Sequence, residues 1–598
     1  MDKIIDIEEI DKKYEDHLSI KYAVPNEKDI NELKPMIDEL LNNYSFITLR
    51  KKYHYSHKRS FLYQIFLYLY NNTDEYTEDN RLKLKDILKI KTARDQSGII
   101  SVTVFTSPYP EYIDDDGNLI KQSFSCKWNC SYCPNQPNQP RSYLNGEPGV
   151  LRANRVDFNC IKQMFIRMEA LYLTGHDLDK LEILVLGGTW TSYPLRYREQ
   201  FIRDIYYAAN VYKYGFTSYR DPLTLSEEKS LNTFAQCKII GLTLETRPDT
   251  INKEEIILLR KYGCTRLQLG IQHIDDGVLK VNNRNCNTIT TIKAIELLKN
   301  SGYKIDAHFM PNLPGSDFNK DDDMLNYQLL GVNSKKYLDY NWEVWDLRRP
   351  DLQVDQWKLY PCTITPYTDI KKWYEEGTYK PYLNDVLTEL IIKTKKLIFP
   401  FIRLNRCVRD IPSDYVPQTE YHSNMRQEFE KLIKEDGWYC SCIRCREVKD
   451  GQYDPDNSIT VVREYNASNG KEYYISRESK DKKILYGFVR LRITKNQAVH
   501  IFPELKDCAF IRELHVYGKV QIAKINEDKQ QNQKTISNHN NSQHRGIGKM
   551  LMAKAEEIAK SNNYFKMSVI SGIGTQEYYK KIGYRLDNGA GEFMIKHI

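Results

Sequence analysis

From about residue 97 onward, short runs of β-branched and apolar residues alternate with longer stretches whose apolar positions recur every three or four residues. The runs fall at 99–105, 181–186, 238–244, 266–271, 304–309 and 356–360. Helical stretches lie between them at 160–173, 197–209, 253–262 and 288–301. Repeated strand–helix units predict a parallel sheet. About six of them predict a partial (β/α)6 barrel, with chemistry at the C-terminal ends of the strands. Past residue 455 the pattern changes to strands at 460–465, 472–476, 484–493 and 509–516. A Gln/Asn/Lys-rich stretch at 526–541 reads as a disordered loop. A helix with Ile547, Leu551, Ala555 and Ile558 on one face, then a strand at 568–570, completes an α+β unit. Residues 1–95 read as helical; Ile30, Leu33, Ile37, Leu40 and Leu41 form a stripe that Pro35 interrupts, so a helix starting near Pro35 is expected. The pattern divides the chain into 1–95, 96–410, a linker 411–454 and 455–598.

Length agrees with this division, because 598 residues exceed what one core organises. No run of about 18 apolar residues occurs, so neither a membrane span nor a membrane partner is expected. The opening stretch MDKIIDIEEIDKKYED is charged and acidic, unlike a signal peptide. Thirteen cysteines, odd in number and partly clustered, indicate metal ligation in a reducing, cytoplasmic compartment and not a disulfide framework. The excess of 87 Lys+Arg over 80 Asp+Glu is small, so a polyanion would have to be met by local clusters. Two exist. Arg50, Lys51, Lys52, Tyr53, His54, Tyr55, His57, Lys58 and Arg59 interleave cations with rings, and Arg81, Lys83, Lys85, Lys89, Lys91 and Arg94 follow. Such mixtures suit phosphates and unstacked bases; a solvated helical face is the competing reading of the segment alone.

The densest chemistry is Cys126-Lys127-Trp128-Asn129-Cys130-Ser131-Tyr132-Cys133, a C-x3-C-x2-C spacing after the first strand. Three thiolates are one short of an ordinary four-iron four-sulfur cluster and leave one iron open. The spacing resembles that of radical S-adenosylmethionine (SAM) enzymes, where SAM fills the open position. A fragment of a zinc site is the alternative; the x3 gap, Tyr132 and the strand in front favour the cluster. Polar or glycine residues recur at the other strand ends: Gly187-Gly188-Thr189, Glu245-Thr246-Arg247, Gly270 with Gln272 and His273, then His308 and Met310. A second trio, Cys440, Cys442 and Cys445, argues for zinc, with Cys407, Cys362 or His422 as the fourth ligand. Gln543-His544-Arg545-Gly546-Ile547-Gly548-Lys549 opens the C-terminal helix. Backbone N–H groups and the helix dipole there suit an anion. The turn resembles the pyrophosphate turn of GNAT acetyltransferases; another phosphate-binding loop is the alternative.

A radical SAM barrel followed by a GNAT domain resembles the catalytic subunit of the Elongator complex and its archaeal, bacterial and viral relatives. Matching stretches include Tyr132-Cys133-Pro134, Glu245-Thr246-Arg247-Pro248-Asp249, Arg409-Asp410-Ile411-Pro412, Glu513-Leu514-His515-Val516-Tyr517-Gly518 and Tyr578-Tyr579-Lys580-Lys581-Ile582-Gly583-Tyr584. Two features depart from the family: the tighter spacing of the first two cluster cysteines and the Gln/Asn-rich insertion. The resemblance implies carboxymethylation of the tRNA wobble uridine at carbon 5, with a SAM-derived radical acting on acetyl-coenzyme A (acetyl-CoA) and hydrolysis of the thioester leaving the acid. It implies that Gly187, Gly188, Thr189, Glu245, Arg247 and Gln272 hold SAM, and that Leu514, His515, Val516, Gln543 to Lys549 and Tyr578 hold acetyl-CoA. Tyr578, Tyr579 and Tyr584 would position the thioester. Cys126, Cys130 and Cys133 would carry the iron–sulfur cluster, and Cys440, Cys442 and Cys445 the zinc. Lys51, Lys52, Lys58, Arg59 and Arg152 would meet the tRNA anticodon stem-loop, with Elongator-like accessory subunits or a homodimer as protein partners. A protein lysine acetyltransferase with a structural cluster and a non-catalytic RNA-binding scaffold stay open as alternatives.

Overall fold

The computed structural model describes residues 25–91, 97–124, 126–212, 220–409, 411–416, 425–449, 454, 456–495, 497–518 and 546–598. The Gln/Asn-rich stretch, Gln543, His544, Arg545, His422 and Arg94 lie outside them. Among the described residues no helix is long and apolar enough to cross a membrane.

Four helices, Glu27–Leu41, Phe46–Lys52, Arg59–Asn72 and Glu78–Leu88, open the described chain around a core of their own. The first runs through Pro35 instead of starting there. Asn26 caps it by accepting from the Asp29 N–H at 2.8 Å. Met36, Ile37 and Leu40 are fully buried, each contributing roughly 2 kcal/mol. Together they outweigh the roughly 3 kcal/mol that an internal proline costs.

The barrel is one curled, all-parallel sheet. Its strands are β1 (Ile100–Phe105), β4 (Lys180–Leu186), β5 (Lys238–Thr246), β6 (Arg266–Gln272), β7 (Lys304–Phe309), β10 (Gln356–Leu359) and β11 (Arg403–Arg406), hydrogen-bonded in that order. The expected fold class holds, with a seventh strand. The basic stretch at Arg403 and Arg406 is β11 itself, hidden from apolar patterning because its side chains enter a polar interior. In β4, Leu181, Ile183 and Val185 are buried under helices, while Glu182 on the other face lines the lumen. The helix Thr288–Asn300 shows why such segments fold: Asn287 accepts from the Thr290 N–H, and Thr291, Ala294, Ile295 and Leu298 bury one face.

The second sheet has nine strands. A small hairpin, β2 (Glu111–Ile113) and β3 (Leu119–Lys121), stands apart between β1 and the cysteine loop. A second hairpin leaves the barrel after β7: β8 (Val332–Asp339) and β9 (Trp342–Leu347). It joins β12 (Ser458–Ala467), β13 (Gly470–Ser479), β14 (Leu485–Thr494), β15 (Cys508–Val516), β16 (Lys566–Val569), β17 (Arg585–Leu586) and β18 (Met594–His597) in the order β17-β18-β16-β15-β14-β13-β12-β9-β8. The boundary read from sequence puts residues 332–347 in the barrel; β9 pairs in parallel with β12 instead. A bulge in β15 at Arg512 turns both Arg512 and Glu513 toward the barrel. Arg512 donates to Asp355 at 3.0 Å and to Glu472 at 3.1 Å, all fully buried. Arg490 donates to the Phe401 carbonyl at 2.8 Å. Leaving any of these charges unpaired would cost several kcal/mol, so the network holds the two sheets in one arrangement.

Candidate functional site

The loop carrying Cys126, Cys130 and Cys133 sits over the C-terminal ends of the barrel strands. Cys126 Sγ lies 3.6 Å from Thr189 Oγ1, just past β4. Three guanidiniums donate to sulfur: Arg247 to Cys130 at 3.4 Å, Arg284 to Cys130 at 3.7 Å and Arg141 to Cys133 at 3.4 Å. Arg247 is held by Asp249 at 2.9 Å and lies 4.1 Å from the Trp128 ring. Burial pushes the Cys130 thiol up, but Arg284 and Arg247 outweigh it and leave the thiol below its usual range. Cys133 stays above its usual range, because burial exceeds the pull of Arg141. Among the described residues, the trio whose donor atoms all come within 4.8 Å of one another is Cys440, Cys442 and Cys445. The loop cysteines stand farther apart. One zinc ion with sulfur at about 2.3 Å draws its thiolates to about 3.8 Å. The loop therefore fits a larger polynuclear cluster, and its arginines fit the negative charge of one.

Around the loop the strand ends present small or polar groups. Gly187 has φ +134°, and a Cβ there would stand 1.9 Å from Thr106 Oγ1. Glu245 accepts from the Tyr143 hydroxyl at 2.8 Å. Burial raises its carboxyl above the usual range, opposed by Lys358. Arg409 lies 4.9 Å from the Tyr143 ring and pairs with Glu147 at 2.7 Å. Gln272 takes a left-handed φ of +73°, and its buried Oε1 has no partner among the described residues. Gly187, Gly188, Thr189, Glu245, Arg247 and Gln272 are thus brought to one end of the barrel with the cysteine loop.

Barrel interiors are usually packed with branched apolar side chains. This lumen is polar from end to end. Lys358 lies 3.9 Å from Asp306, Asn405 donates to Asp306 at 3.1 Å and to Gln356 at 2.8 Å, and Arg266 reaches Gln356 at 3.4 Å and Glu182 at 2.7 Å. Burial lowers Lys358 to about 8, against Asp306 and Glu245, and drives His308 well below its usual range.

At the N-terminal end of the strands the lumen opens into a cavity of about 720 Å³ between the two sheets. Glu182, Arg266, Lys304 and Arg403 line it from the barrel; Glu513, Leu514, His515, Ile570, Ser571 and Tyr579 line it from the second sheet. The cavity opens where β15 and β16 part: their pairing ends at Ile511 and Val569, while β15 continues to Val516. The helix Ile547–Ser561 starts nearby from Gly546 in a left-handed conformation, and a Cβ on Gly548 would stand 2.7 Å from the Tyr578 hydroxyl. Tyr578 therefore covers the first turn of that helix. Tyr579 is buried against the cavity. Tyr584 is also buried, and its hydroxyl donates to Glu556 at 3.1 Å, on the side of the domain helix. Of the three tyrosines, Tyr579 lines the cavity.

Cys440 and Cys442 are buried and Cys445 is exposed. Cys362 packs with Tyr132 and Leu313. The expected polyanion residues fall in two places. Lys51 and Lys58 are exposed, Lys52 is exposed but paired with Glu39, and Arg59 lies 4.4 Å from the Phe46 ring. Lys58 and Arg59 line a groove of about 710 Å³ shared by Arg50, His57, Lys91 and Arg167. Arg152 lies elsewhere, on the helix Pro148–Asn154 at the cavity between the sheets. Half of the second basic run is structural: Arg81 pairs with Glu78, Lys83 donates to the Leu41 carbonyl and Lys85 pairs with Asp177. Sequence reasoning missed Arg141, Arg284, Lys358 and Ser571, which lie far apart in the chain and carry no motif of their own.

The radical SAM superfamily model matches residues 120–327, and the radical SAM C-terminal domain model residues 354–435. The chain is 32% identical over 514 residues to the tRNA uridine(34) acetyltransferase of Dehalococcoides mccartyi, covering 85% of this chain and 99% of that protein. It is 32% identical over 537 residues to Elongator complex protein 3 of Dictyostelium discoideum, with 87% of this chain and 86% of that protein covered. The solved structure of the archaeal Methanocaldococcus infernus Elp3 with an N-terminal deletion aligns at a TM-score of 0.65 and 29% identity, covering 84% of this chain and 100% of that one.

Proposed function

The chain belongs to the family of Elongator complex protein 3 and the tRNA uridine(34) acetyltransferases, and from that premise we propose that it carboxymethylates carbon 5 of the tRNA wobble uridine, with SAM and acetyl-CoA as co-substrates. The observation that carries this reading is the cavity of about 720 Å³ at the parted strands β15 and β16, which opens onto a polar lumen leading toward the cysteine loop. The acyl-carrier cavity and the cysteine loop thus lie at opposite ends of one polar barrel interior. Bound to Cys126, Cys130 and Cys133, an iron–sulfur cluster with SAM supplies a carbon radical able to take hydrogen from an acetyl methyl group.

The chain's own residues do the rest. Arg141, Arg247 and Arg284 balance the charge on the cysteine sulfurs. Gly187, Gly188, Thr189, Glu245 and Gln272 orient the amino-acid end of SAM. Leu514 and Val516, on the unpaired edge of β15, offer backbone groups to the amides of the CoA arm. Gly546, Ile547, Gly548 and Lys549, with Gln543, His544 and Arg545, take the pyrophosphate. Tyr578 and Tyr579 position the thioester. Lys51, Lys52, Lys58 and Arg59 bind the phosphates of the anticodon stem, and Arg152 binds nearer the lumen. Cys440, Cys442 and Cys445 hold a structural zinc ion.

The test is anaerobic reconstitution with iron and sulfide, then SAM, dithionite, acetyl-CoA and tRNA, followed by nucleoside mass spectrometry. A 5-carboxymethyl-type uridine at position 34 is expected. Peptide acetylation without SAM, and no modified uridine, would sink the reading in favour of a lysine acetyltransferase.

A further inference from the structure

Among the cavity-lining side-chain atoms that are buried without a hydrogen-bond partner in the described residues, two are uncharged: Nε2 of His515 and Oγ of Ser571. Buried groups of this kind are normally satisfied, so an unpartnered pair facing a cavity marks where a ligand completes the bonding. The two belong to different strands that separate at this point. His515 lies on β15 beyond its last pairing with β16, and Ser571 follows the end of β16. Both therefore line the cavity next to the free edge of β15.

The ring of His515 is fixed. It lies 4.3 Å from the Tyr517 ring and stacks on Phe488 at 6.1 Å. Tyr517 in turn accepts from Arg403 at 3.2 Å. The charged groups around the imidazole are Glu513 on its own strand, Arg403 on β11, Glu182 on β4 and Lys304 on β7. Burial, more than any of these, lowers the imidazole to about 4, so it is neutral at physiological pH. With Nδ1 protonated, Nε2 offers its lone pair to the cavity. Two of the tyrosines are less well placed for this work: Tyr584 is committed to Glu556, and Tyr578 sits over the first turn of the C-terminal helix.

We propose that His515 and Ser571 are the hydrolytic pair for the thioester, His515 as the base and Ser571 as the donor to the carbonyl oxygen. The assignment rests on the reading of acetyl-CoA as co-substrate. A water oxygen forms a bond to the thioester carbon and passes one proton to His515 Nε2. The carbon–sulfur bond breaks with its electron pair on sulfur, and the imidazolium returns the proton to that thiolate. The new carboxylic acid loses its remaining proton to solvent. No redox partner is needed.

The experiment measures tRNA-stimulated release of CoA thiol from acetyl-CoA, with a thiol-reactive dye, in the full chain. His515→Ala should lower kcat by about 100-fold or more while leaving the KM for acetyl-CoA unchanged. Added imidazole should restore part of the rate, an effect a purely structural histidine would not show. Ser571→Ala should cost about tenfold. His515→Gln, which keeps a polar side chain of similar reach, controls for misfolding and should be as slow as the alanine variant. A wild-type rate in His515→Gln, or a loss in His515→Ala that comes with lost acetyl-CoA binding and no imidazole rescue, would overturn the assignment. If the wild-type chain hydrolyses acetyl-CoA through His515 but leaves tRNA unmodified, the wobble-uridine reading fails and this pair stands.

Discussion

The chain carries two cysteine trios of nearly equal sequence density, and the fold treats them oppositely. Cys126, Cys130 and Cys133 stand farther apart than a single ion allows, on a loop over strand ends, with three arginines donating to their sulfurs. Cys440, Cys442 and Cys445 crowd within 4.8 Å, two of them buried in the core. Their neighbours Arg444 and Arg446 turn away from sulfur and donate to the carbonyls of Asn405, Ser441 and Pro400. Spacing in sequence therefore does not decide what a cysteine cluster does. The distance between sulfurs decides nuclearity, and the placement of cations decides whether thiolates are kept reactive or merely bound.

This contrast can be broken or sharpened in steps. Cys130→Ala should have the largest effect, removing the visible absorbance of a reconstituted cluster and all modified uridine. It should cost less thermal stability than Cys442→Ala, because Cys130 lies outside the main core cluster that holds Cys442; a variant that kept full activity would end the contrast. Cys442→Ala should do the reverse, lowering the free energy of unfolding by about 4 kcal/mol and the zinc content by mass spectrometry. A chelator should reproduce that loss of stability in the unaltered chain. Arg284→Met should have the smallest effect, about tenfold faster iron loss under chelator challenge, with zinc retention unaffected. Equal loss of zinc would show that the two sites are not independent.

Much of the barrel is legible because six of its seven strands are apolar enough to interrupt the helical period, and β7 matches its expected run at Lys304–Phe309. The misses share a cause. β11, the hairpin β8–β9 and the helix through Pro35 all carry polar or rule-breaking residues whose placement follows from what they pack against. The candidate site was legible only where ligands sit close in sequence, as in Cys126 to Cys133 and Gly546 to Gly548. Arg141 and Arg284 reach neighbouring sulfurs of one loop from positions more than a hundred residues apart, and His515 and Ser571 come to one cavity only where two strands separate.

By itself the sequence determined the alternation of strand and helix, the two thiol clusters and the glycine turn, since each depends on neighbours within a few residues and on local backbone geometry. Tertiary structure alone decided that the second sheet caps the N-terminal end of the barrel, that the lumen between the two ends is polar, and which charges face the cysteine loop. Those outcomes depend on pairing between distant segments, where burial and charge compensation across the fold outweigh any local preference.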